Sequence, residues 1–83
     1  MNIVGRLSII QQEIQAVETE KLQCEQRLAL FWEHPPALDA DFLERFLQSI
    51  RDRIHLLEDR RMALLEERQA LIVEGASSNR WGM

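Results

Sequence analysis

Fourteen carboxylates, two histidines and one cysteine are the groups in this 83-residue chain whose chemistry could ligate a metal or move a proton. Their spacing does not bring them together. A carboxylate-bridged metal bundle needs Glu-x-x-His motifs that point inward. Here His34 follows Leu30 and Phe31 at the relevant spacings, and His55 follows Arg51 and Asp52. Neither histidine stands in a zinc-ligand pattern with Cys24. No serine sits in a nucleophile elbow, and no glycine-rich loop is present to cradle a phosphate. The expectation is a chain without catalytic, cofactor-binding or metal residues, and so not an enzyme.

The basic residues carry the next candidate chemistry. Nine of the ten are arginine, and six of these lie between Arg45 and Arg68. Arg51, Arg53, Arg60 and Arg61 would make a stripe for nucleic acid or for an acidic partner. Asp52, Glu58, Asp59, Glu66 and Glu67 are interleaved with them, however, at the spacings of a self-neutralising helix surface. The net charge of −4 also runs against phosphate binding. Arg53 and Arg60 therefore stand as candidate contacts for a protein partner, with a nucleic-acid regulator as the rival function. Aromatic residues supply the other candidates. Phe31, Trp32, Phe42 and Phe46 cluster around "HPPALD", and Trp81 sits in a polar C-terminal stretch. The cluster either closes the end of the bundle as core or end cap, or forms an exposed aromatic patch of the kind that marks a partner site, and Trp81 either folds back on the bundle or docks a partner.

The elements that must position these residues are legible from periodicity. Ile3, Leu7, Ile10, Ile14, Val17, Lys21, Cys24, Leu28 and Phe31 alternate by four and three, which is the seam of a coiled-coil-like helix. Leu43, Leu47, Ile50, Ile54, Leu57, Arg61, Leu64, Arg68 and Leu71 repeat the pattern. Beyond Leu57, Leu65 and Ile72 appear on the opposite flank of the leucine row, and the buried stripe is expected to turn toward them. Pro35 and Pro36 force the residues before them out of helical geometry. A short connection of this length makes neighbouring helices antiparallel.

The reading is an all-α, coiled-coil-like antiparallel hairpin over residues 1–75. It comprises a helix from about 2 to 33, a Pro-Pro turn over 34–38 and a helix from about 39 to 74. Asp39 caps the second helix, Leu38 staples against Leu43, and Gly75 stops the helix. Residues 76–83 form a flexible tail. Pairing about the prolines joins residues whose numbers sum to about 72, which predicts ion pairs of Lys21 with Asp52 and of Arg61 with Glu13.

A chain this short buries little of its surface, and it has one cysteine, so no internal disulfide. Yet Val4, Ile9, Leu22, Leu30, Trp32, Phe42, Phe46, Leu56, Met62, Leu65 and Ile72 fall off the seam. The expected remedy is a homodimer forming a four-helix bundle, or a bundle completed by another protein. No apolar run approaches the ~20 residues that span a bilayer, and "MNIVGRLSII" leads into "QQEIQ" rather than into a cleavage site. A cytoplasmic protein-interaction module is the expected function: an adaptor, a chaperone or an inhibitor. A structural subunit of a larger coiled-coil assembly is a further alternative.

Overall fold

The computed structural model of the chain describes residues 2–37 and 39–81, the last four of these through their backbone alone. Two helices, α1 (Ile3–Glu33) and α2 (Ala40–Trp81), pack against each other in a rod of 67 × 17 × 16 Å. The ends of α1 follow from local chemistry. The Asn2 Oδ1 accepts a hydrogen bond from the Gly5 N–H at 3.2 Å, satisfying one of the donors left open in a first turn. At the other end His34, which precedes Pro35, leaves helical geometry at φ −133°, ψ 70°, and its N–H donates to the Leu30 carbonyl at 2.9 Å.

In α2 the Asp39 carbonyl accepts the first helical bond, from the Leu43 N–H at 3.0 Å. Asp41 lies in the first turn, where the helix dipole favours a carboxylate. The expected Leu38 staple lies outside the described residues. The expected stop at Gly75 is corrected: α2 runs through it to Trp81. A glycine ends a helix by turning left-handed, and no glycine among the described residues has a positive φ. With no proline following, nothing in "ASSNR" obliges the helix to end.

Heptad letters locate the core. Setting Ile10, Val17 and Cys24 at d in α1, and Ile50, Leu57, Leu64 and Leu71 at d in α2, makes every one of these a buried residue, and Phe31 is the last d of α1. The a row is more open. Ile14 is buried there, but Leu7, Lys21, Leu28, Leu47, Ile54, Arg61 and Arg68 are half-buried. The f positions Gln12, Thr19, Gln26, Glu33, Arg45, Asp52, Asp59, Glu66 and Val73 are exposed, as the outermost surface of each helix must be, while Gly5, the first f, is half-buried beside the Asn2 cap. The rotation of the stripe in α2 is partial. Leu65 packs against the core, while Ile72 keeps nearly half its surface in solvent.

Candidate interaction surface

The charged seam positions fix the register of the hairpin, which lies within one residue of the expected one, while the partners of Lys21 and Arg61 differ. On one side Arg6 pairs with Glu67 at 3.5 Å, Glu13 with Arg60 at 3.5 Å, and Glu20 with Arg53. All six residues are at g. Their numbers add to 73, as do those of the flanking helix ends, Glu33 and Ala40. On the other side the a residues reach diagonally to e residues of the opposing helix. Lys21 approaches Glu58 at 3.5 Å, Arg61 donates to Glu18 at 3.0 Å, and Arg68 donates to Gln11 at 3.3 Å. The expected pairs, Lys21 with Asp52 and Arg61 with Glu13, are therefore replaced. Asp52 sits at f, facing away from α1, and accepts from Gln48 at 2.8 Å. Glu13 is on the g side, whereas Arg61 reaches toward the e side.

The g row separates two stripes at c. In α1 this stripe is Ile9, Ala16, Gln23 and Leu30; in α2 it is Phe42, Ser49, Leu56, Ala63 and Ala70. Around the helix the order d, g, c places both stripes on the same side of the rod as the g–g ion pairs. A depression there has Val17 and Leu57 on its floor, with Glu13, Glu20, Arg53 and Arg60 along it and Ala16 and Leu56 at its rim. The large apolar members of this face are left in solvent: Ile9 is 56% exposed, Leu30 60%, Phe42 51% and Leu56 61%. Phe46, at the g position nearest the turn, is 36% exposed.

Phe31, which belongs both to the expected seam and to the aromatic cluster, is buried, edge-on to Trp32 and tilted against Phe46, both with ring centroids at 5.8 Å. Its d position, continuing the row from Ile3, is the reason. Trp32 is 60% exposed at e, on the side away from the c stripes, so the aromatic collar is divided between core and two surfaces. Arg53 and Arg60 are occupied by Glu20 and Glu13. The Trp81 side chain lies outside the described residues. The sulfur of Cys24 is a free thiol buried at the seam, where it acts as a small apolar group. His55 is exposed, with Nδ1 at 3.9 Å from Glu58, and His34 is exposed beside the turn.

Among the described residues no three His, Cys, Asp or Glu side chains converge, and no buried side-chain polar atom lacks a partner. No described helix is long and apolar enough to cross a membrane. The face that reading off the seam missed is the c/g face. Its signal was present in the sequence as two complementary rows at seven-residue spacing: Arg6, Glu13, Glu20 in one helix and Arg53, Arg60, Glu67 in the other. Comparison with known protein families, curated proteins and solved structures finds no match to the chain.

Proposed function

We propose that this protein is a small, non-enzymatic protein–protein interaction module of the adaptor, chaperone or inhibitor kind. Its hairpin pairs with a second copy into a four-helix bundle and offers the remaining exposed apolar residues, Trp32 among them, to another protein. The observation that carries this reading is the set of large apolar side chains on one face, Ile9, Leu30, Phe42 and Leu56, each more than half exposed on a rod only two helices thick. Burying a residue of this kind contributes about 1.5–3 kcal/mol, so a short chain with a core one seam wide gains most by covering them. The free, buried Cys24 suits a reducing compartment such as the cytoplasm.

The nucleic-acid alternative draws no support from the geometry. Arg53, Arg60 and Arg61, the centre of the arginine-rich segment, each face a glutamate of α1. A phosphate would have to displace these carboxylates. The reading is tested by thermal unfolding across a hundredfold range of protein concentration. A chain stabilised by association melts higher as concentration rises; a melting temperature independent of concentration would contradict self-association.

A further inference from the structure

Resting on that reading, we infer that the c/g face is the dimer interface and that the two hairpins join with their turns at the same end, related by a twofold axis along the rod. Two face-to-face arrangements have twofold symmetry. With the axis along the rod, α1 of one copy lies over α2 of the other and the turns are together. With the axis across the rod, each helix lies over its own copy and the turns are at opposite ends.

Charge separates the two. In the first arrangement the levels are fixed, because a twofold axis along the rod permits no sliding. Each g residue then meets the same opposite charge that it already meets within its own hairpin: Arg6 over Glu67, Glu13 over Arg60, Glu20 over Arg53. The c stripes match at these levels as well. Ile9 falls on Ala63, Leu56 on Ala16, Leu30 on Phe42, and Gln23 on Ser49. Large residues meet small ones in the middle of the rod, apolar meets apolar at the turn, and the polar pair meets itself. Leu56 of each copy enters the depression beside Ala16 of the other.

In the second arrangement full overlap sets Arg6 over Arg27, Glu13 over Glu20, and Arg53 over Arg60. Like charges so placed oppose the complex. Sliding by one heptad relieves most of these contacts, but in one direction it leaves Glu13 facing Glu13 and Arg60 facing Arg60 and carries Leu30 beyond the partner's α1, and in the other it leaves Glu20 facing Glu20 and Arg53 facing Arg53. Size agrees with a dimer. The 31 residues of α1 span roughly 46 Å and the rod is 17 Å wide, a face of roughly 800 Å² per copy, the area of a standard specific interface. Because its g charges are neutralised within each hairpin, this face favours an equally neutral surface over a strongly acidic or basic one.

The full-length chain carrying Cys24→Ala and a spin label at Ala37→Cys, in the exposed turn, tests this in solution, with its mass measured in the same sample. The expected result is a dimer of twice the 9.8 kDa chain mass with labels about 20 Å apart. A dimer with labels about 45 Å apart or more would overturn the arrangement while leaving self-association standing. A monomer with native helicity would overturn both. Leu56→Glu, on the c/g face, is expected to raise the dimer dissociation constant more than about 30-fold. Leu22→Glu, at b on the other side and 54% exposed, is expected to leave it within about threefold. The reverse ranking would overturn the choice of face. Circular dichroism of each variant separates lost association from lost folding.

Discussion

Replacing Lys21 with leucine tests whether the polar residues of the a row set register at the expense of stability. Lys21 lies within a run of apolar seam residues, its side chain 31% exposed, with Nζ at 3.5 Å from Glu58 and 3.9 Å from Glu25. Both carboxylates are about half exposed, so the ion pairs together contribute no more than about 1 kcal/mol. Full burial of a leucine is worth about 1.5–3 kcal/mol, and about two-thirds of that is available at this depth. The lysine stem already covers part of the same surface, which lowers the gain further. Leucine and lysine have nearly equal helix propensity, so that term cancels. The net expectation for Lys21→Leu is a change between zero and about 1 kcal/mol in favour of folding, read as a rise of up to about 6 °C in melting temperature for a domain of this size. The assay is urea and thermal unfolding followed by circular dichroism, with both proteins at one concentration, since association contributes to apparent stability. A loss of more than about 1 kcal/mol would refute the reasoning. It would mean that the ammonium group is a net source of stability and that desolvation is a smaller term than assigned here.

Three other outcomes follow from the same geometry. Gly75→Ala is expected to stabilise the chain by up to about 1 kcal/mol, because the residue is helical and an added Cβ would meet the Ile3 side chain at an ordinary 3.8 Å; destabilisation in urea unfolding would show that Gly75 is left-handed and ends α2 after all. Raising salt from 0.05 to 1 M is expected to cost less than about 1 kcal/mol of stability, since the cross-helix pairs involve side chains between 31% and 61% exposed; a larger loss in unfolding titrations would make those pairs a main support of the fold. Val17→Ala, at a fully packed d position, is expected to cost about 1–3 kcal/mol, whereas Leu22→Ala on the surface should stay within about 0.5 kcal/mol; equal losses would contradict the assignment of the seam.

The division between what the sequence disclosed and what it withheld has a physical basis. Four-three spacing is a property of one helix at a time, so Ile10, Val17, Ile50, Leu57 and the prolines between the helices were sufficient to read two helices packed against each other. Register depends on both helices and on where the turn is centred. Pairing residues roughly level with one another selected Asp52 for Lys21 and Glu13 for Arg61, whereas both a-row side chains reach diagonally along the opposing helix to the e residues Glu58 and Glu18. Gly75 misled for a different reason: its preference for a left-handed backbone permits a helix end without requiring one. Phe31 and Trp32 are adjacent in sequence, yet one is buried and the other exposed, because a step of 100° moves a side chain from d to e. The c/g face stayed hidden while its apolar residues were considered singly. Rows seven residues apart in both helices have to be aligned before Ile9, Leu30, Phe42 and Leu56 become one surface.

The hairpin leaves one face open, and we propose that a second copy covers it. Light scattering on the unmodified chain at about 100 μM, beside Leu56→Glu, tests this most directly. Twice the 9.8 kDa chain mass is expected for the native protein, and a single chain of native helicity for the variant. A native protein that remains a folded 9.8 kDa monomer at this concentration would contradict it.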